Sequence, residues 1–189
     1  TQQVGTEILG EFARHEHLAP LFSLDKSRSK GDLVNWDQRN RRILDLSDQD
    51  ALDYVVELKF DGLTINLTYE GGHLIQAATR GNGLVGEAIL AQVKTIKTIP
   101  QQVSYLGRFE IQGEGIMPLS ALEHYNQTHE IPLKNARNAA AGALRNLNPS
   151  ITASRNLDAY FYQINYIEGR DFNSHDEMLI FIREQEFKT

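Results

Sequence analysis

The chain has 189 residues, 41% apolar and 23% charged, which fits one ordinary globular domain with a real core. It contains no cysteine, which excludes disulfides and thiolate zinc sites; no apolar run is long enough to span a bilayer, and no secretory signal opens the chain, so no membrane partner and a cytoplasmic location are expected. A net charge of −6 excludes a dedicated nucleic-acid binder of the usual basic kind, so any such contact must be local or supplied by other chain.

Thr1 to His17 reads as a polar helix with apolar contacts at Val4, Ile8, Leu9 and Phe12. On a helix, the spacing of His15 and His17 does not put two imidazoles on one face, so no metal site is expected there. Leu18 to Asp25 reads as a short extended segment. From Ser29 a helix is expected, with Leu33, Trp36, Asp37, Asn40 and Leu44 at helical spacing, Trp36 in the core, and Arg39, Arg41 and Arg42 near the C-terminal end, where cations suit the dipole.

Tyr54 to Gly62 alternates apolar and polar residues and predicts a strand. Val56, Leu58 and Phe60 would share one face, and Glu57, Lys59 and Asp61 the other. Lys59 between two carboxylates is a candidate nucleophile. A free lysine amine titrates near ~10.4, and Glu57 and Asp61 would hold its proton and orient it, so Asp61 is a positioning group. A solvated charged face is the plain alternative.

Leu63 to Glu70 predicts a strand with Ile65, Leu67 and Tyr69 on one face. Gly71-Gly72 is a hairpin signal, and His73 to Arg80 is the partner strand in a meander of antiparallel strands. Gly81-Asn82-Gly83-Leu84-Val85-Gly86 is formally G-x-G-x-x-G and would open a helix from Glu87 to about Lys94. The surrounding pattern is hairpins rather than strand–helix–strand, so a dinucleotide-binding fold is not adopted; Arg80 beside a glycine turn suits an anion instead. Arg108 to Gly115 predicts a strand with Glu110, Gln112 and Glu114 on one face. Pro118 starts a helix to about His129. Lys134 to Leu157 is the one locally basic segment, carrying Lys134, Arg137, Arg145 and Arg155, and suits phosphate or a solvated face. Within it Asn138 to Leu147 is alanine-rich, with a glycine that would allow close helix packing. Asp158 to Ile167 is a tyrosine-rich strand, and Ser174 opens a final amphipathic helix to about Phe187.

The elements together give an α+β fold: antiparallel strands in more than one small sheet, flanking helices, and a nucleotide cleft between sheets. No linker or repeat marks a boundary, so residues 1–189 are expected to form a single domain.

Several stretches together resemble the adenylation (nucleotidyltransferase) domain of bacterial NAD-dependent DNA ligases. Glu57-Leu58-Lys59-Phe60-Asp61-Gly62 is similar to the motif around the adenylated lysine. Ala78 to Glu87 is similar to the threonine-arginine-glycine stretch, and Glu110-Ile111-Gln112-Gly113-Glu114 to a third motif. Asn135 to Arg145 is the longest match, and Ser23-Leu24-Asp25 resembles the segment before the first helix. Asn82, Gln112 and Ala136 stand where the family usually has aspartate, arginine and proline. The resemblance runs from about Leu21 to the end.

The resemblance implies that Lys59 attacks the α-phosphate of NAD, expels nicotinamide mononucleotide and forms lysyl-AMP. It implies that Glu57 reads the adenine amino group, that Ser23 and Leu24 line the nucleotide pocket, and that Arg80 and Glu114 hold the ribose region. Arg137 and Arg145 would contact phosphates of AMP or of nicked double-stranded DNA. Magnesium would neutralise phosphate charge, and AMP would then pass to a 5′-phosphate at the nick. The resemblance also implies downstream lysine motifs and a nicotinamide-binding module beyond these residues, so the isolated chain is expected to seal nicks poorly. A non-catalytic nucleotide- or partner-binding relative and an ATP-using nucleotidyltransferase are the alternatives.

Overall fold

The structure is a computed structural model that describes residues 11–189. Val4, Ile8 and Leu9 of the expected first helix lie outside the described residues. In chain order the elements are β1 (Arg14–Glu16), α1 (Lys30–Ile43), β2 (Leu63–Glu70), β3 (His73–Thr79), β4 (Val85–Glu87), α2 (Leu90–Val93), β5 (Phe109–Ile116), α3 (Leu119–Thr128), α4 (Ala136–Leu144), α5 (Pro149–Ser154), β6 (Asp158–Ile167) and α6 (His175–Glu184). Two compact units are distinguished: Phe22–Leu58, and Lys59–Thr189 together with residues 11–21.

The smaller unit is built on α1. Ser29 caps it, its hydroxyl accepting from the Asp32 N–H while the Asp32 carboxylate accepts from the Ser29 N–H, so two orphan donors of the first turn are satisfied. Contrary to expectation, α1 buries no residue among those described, and Trp36 is half-buried against Tyr54, with ring centroids 4.9 Å apart. The Asp37 carboxylate ties the pair, accepting from Arg41 Nε at 2.9 Å and from the Tyr54 hydroxyl at 2.5 Å.

The larger unit is organised by a four-stranded antiparallel sheet in the order β3-β2-β5-β6. The β2–β3 connection is a hairpin through Gly71 and Gly72, both at positive φ. β5 comes in on the other side of β2, so the sheet is not a plain meander. A second, two-stranded sheet pairs β1 with β4, Arg14 opposite Glu87 and Glu16 opposite Val85.

One sheet face is apolar. Ile65, Leu67 and Tyr69 of β2 and Phe109 and Ile111 of β5 are fully buried, and α4 lays Ala140, Ala143 and Leu144 against it. A Cβ on Gly115 would stand 2.8 Å from Leu144 Cδ1, so a larger residue there would force that side chain to shift. α6 covers β6 through Phe181 and Ile182, with Phe181 edge-on to Phe109.

Three expectations change. Tyr54 to Gly62 is not a strand: no ladder partner lies beside it, and Val56 and Leu58 are 93% and 82% exposed. Alternation describes which residues could share a face; a strand also needs a neighbour to hydrogen-bond, and β2 begins only at Leu63. Residues 14–16 form a strand rather than a helix, so His15 and His17, two apart in extended backbone, point the same way. The G-x-G-x-x-G stretch leads into β4 and the four-residue α2 rather than a helix from Glu87.

The expected close approach at Gly142 is also absent. A Cβ there would meet no atom within 4 Å, and the alanines on the opposite side of α4 make the packing. Glycine inside a helix costs about 0.5–1 kcal/mol relative to alanine. Gly142→Ala is therefore expected to raise the unfolding free energy by about that amount, read as a higher denaturation midpoint at unchanged slope.

Candidate functional site

The opposite face of the sheet is polar and equally buried. Thr64, Asn66 and Thr68 of β2 stand opposite Glu114, Gln112 and Glu110 of β5. All but Thr64 are buried, Glu110 completely. An unsatisfied buried polar group costs about 1–3 kcal/mol, and this face is cross-linked accordingly. The Thr64 hydroxyl donates to Glu114 Oε2 at 3.1 Å and the Thr68 hydroxyl to Glu110 Oε1 at 3.2 Å. Gln112 Nε2 donates to the Tyr162 hydroxyl at 3.2 Å and Gln112 Oε1 accepts from Asn165 Nδ2 at 3.1 Å.

Glu114 anchors one end. Burial raises its pKa above the ordinary carboxylate range, against the Thr64 hydroxyl, the Gly62 N–H and the charges of Lys59 and Arg137, which all pull it down. Lys59 is exposed but close enough for its ammonium to act on Glu114. Arg137, in the first turn of α4, donates from Nη1 to Asp61 Oδ1 at 3.0 Å. Asp61 thus has Arg137 as its partner. Phe60, between Lys59 and Asp61, stacks on Tyr160 of β6 with centroids 4.1 Å apart, fixing the backbone beside the amine.

Arg80 follows β3. Its charge bears on Tyr162, whose hydroxyl burial pushes above its ordinary range. The turn after it is held by side chain and backbone together: Asn82 Oδ1 accepts from the Leu84 and Val85 N–H groups at 3.0 and 2.9 Å, and the Gly83 N–H donates to the Arg80 carbonyl at 3.0 Å. Gly81, at φ +57°, has no room for a Cβ, which would fall 1.8 Å from the Val85 carbonyl. Asn82 does as a neutral acceptor what an aspartate would do here.

The structure therefore groups Lys59, Asp61, Glu114 and Arg137, with Arg80 joined through Tyr162. Arg145, at the end of α4, pairs with Glu87 of β4 at 3.1 Å instead. Ser23, Leu24 and Glu57 belong to the smaller unit, all three exposed there. Sequence reading missed Thr64 and Tyr162, which meet Glu114 and Gln112. The alternating tyrosines of β6 were the available signal, but the cross-strand register that aims them was not.

A family model described as the NAD-dependent DNA ligase adenylation domain matches residues 9–189. The chain belongs to that family. Among curated relatives, a DNA ligase of Alkaliphilus oremlandii is 56% identical over 187 residues, covering 99% of this chain and 28% of the relative. DNA ligases of Finegoldia magna and Clostridium botulinum (strain Langeland) are 50% and 48% identical, covering 100% and 97% of this chain. The chain spans less than a third of the relatives' length.

A carboxyl whose pKa is raised on folding contributes stability that is present below its unfolded pKa and lost as pH rises through the folded value. Glu114→Gln, which keeps the acceptor for Thr64, is expected to gain stability relative to the unmodified chain as pH rises from about 4 to 7. Denaturant melts of both proteins across that range check the sign.

Proposed function

We propose that this chain carries out the nucleotide-loading step of an NAD-dependent DNA ligase. The observation that supports this is the convergence of Lys59, Glu114 and the Asp61–Arg137 pair at one end of a buried polar sheet face, in a chain of this family. Lys59 Nζ attacks the α-phosphorus of NAD. A nitrogen–phosphorus bond forms, the bond to the nicotinamide mononucleotide phosphate oxygen breaks with the electron pair leaving on that oxygen, and the amine gives up a proton. The product is lysyl-AMP. Asp61, held by Arg137, positions the amine. Glu114 and Arg80 take the ribose region, and Glu57, Ser23 and Leu24 take the base. AMP then passes to the 5′-phosphate of nicked double-stranded DNA, where Arg137 and Arg145 serve as phosphate contacts. Both arginines are held by exposed ion pairs, which contribute little to stability and yield readily to a doubly charged phosphate.

Magnesium would supply neutralisation of phosphate charge. Among the described residues the one converging set of three metal-binding side chains contains two imidazoles rather than the oxygen ligands magnesium prefers. Among the described residues no helix is long and apolar enough to cross a membrane.

Intact-mass measurement after incubation with NAD and magnesium is expected to show one added AMP, absent with ATP and abolished in Lys59→Ala. Asp61→Asn is expected to slow adduct formation at least tenfold without abolishing it. An adduct only with ATP overturns the NAD assignment. Saturable nucleotide binding with no adduct favours a non-catalytic binding relative.

A further inference from the structure

The far end of the polar face has its own cluster. Glu110 and Glu114 are four residues apart on β5, about 13 Å along a strand, so this cluster is separate from Lys59 and its partners. β1 and the residues after it cross here: the Leu18 N–H donates to Glu110 Oε2 at 3.0 Å, and the Leu21 N–H to the Gly83 carbonyl at 2.8 Å. Because β1 is extended, His15 and His17 both face Glu110, and the ligand atoms of the three side chains lie within 4.8 Å of one another.

The hydrogen bonds around them are incomplete in a telling way. His17 Nε2 lies 3.1 Å from the Arg80 carbonyl, which can only accept, so Nε2 carries the proton and Nδ1 accepts from Asn66 Nδ2 at 3.2 Å, a bond that a metal ion on Nδ1 would replace. A carbonyl fixing the distal N–H is how proteins orient a metal-binding imidazole. His15 Nε2 is buried with no hydrogen-bond partner. It stands 3.7 Å from Glu110 Oε1, too far for a hydrogen bond. Two donors bound tetrahedrally to one zinc ion at ~2.0–2.2 Å lie about 3.3–3.6 Å apart, so the 3.7 Å His15–Glu110 gap is close to that of a shared cation. From a separation of up to 4.8 Å, bringing in the third donor takes a side-chain shift of up to about 1.5 Å.

We propose that His15, His17 and Glu110 bind one borderline divalent cation, zinc by preference, through His15 Nε2, His17 Nδ1 and a Glu110 oxygen. Two imidazoles and one carboxylate select zinc, cobalt or nickel over magnesium or calcium. A water or other small ligand would complete a fourth position. The ion joins β1 to β5 and, through the Arg80 carbonyl on His17, steadies the glycine turn.

Zinc titration of the full chain by equilibrium dialysis, with cobalt as a spectroscopic probe, tests this. One zinc per chain is expected, with intense tetrahedral cobalt bands. His15→Asn and His17→Asn are each expected to weaken zinc binding at least tenfold, whereas His129→Asn on α3's C-terminal side leaves it unchanged. Zinc should raise the melting temperature of the unmodified chain and not that of His15→Asn. Because β1 is short, circular dichroism of metal-free His15→Asn must match the parent; the cobalt spectrum of the parent decides independently of any variant. Octahedral, water-like cobalt bands overturn the proposal, as does zinc binding that survives His15→Asn and disappears with His129→Asn.

Discussion

The structure depends on a sheet that buries both of its faces and makes only one of them apolar. Ile65, Leu67 and Tyr69 interlock with Phe109 and Ile111 on one side, while Thr64, Asn66 and Thr68 bond to Glu114, Gln112 and Glu110 on the other. The two faces are inseparable, since each is read from alternate residues of the same two strands. A slip of one residue between β2 and β5 would exchange them. The hydrophobic core thus fixes the position of every polar group on the site side.

On this rigid floor the chemistry-bearing groups are held by unequal means. Glu114 is buried and ladder-bonded, whereas Lys59, Asp61, Arg137 and Arg145 are exposed and held by ion pairs or by the Phe60–Tyr160 stack. On the function proposed above, such a division suits a site that binds an anion, reacts with it and releases it. The carboxylate that senses the amine stays put, and the cations are free to exchange a weak internal partner for a stronger external one.

How much of this was legible in the sequence follows from the range of the forces involved. The strands Leu63–Glu70 and Asp158–Ile167, the glycine hairpin, and the helix caps at Ser29 and Ser174 were all readable, because alternation, turn chemistry and capping act over a few residues. β1 was not, because its pairing partner β4 lies far along the chain and three residues carry no period. Tyr54 to Gly62 has the pattern of a strand without a neighbour, and Trp36 the look of a core residue on a helix that buries nothing. Lys59 and Arg137 stood out by charge in unusual settings. Thr64 and Tyr162 did not, because only cross-strand register aims them at Glu114 and Gln112.

The turn at Asn82-Gly83 has a chemical lifetime as well as a shape. In a loose peptide this pair ages quickly: the glycine nitrogen attacks the asparagine side-chain carbonyl, ammonia leaves, and a cyclic imide opens to aspartate or its backbone-lengthened isomer. Here the attacking nitrogen gives its hydrogen to the Arg80 carbonyl, and the side-chain oxygen is gripped by the Leu84 and Val85 amides. The bonds that bend the backbone also keep the two atoms from meeting, so the loop resists its own deamidation.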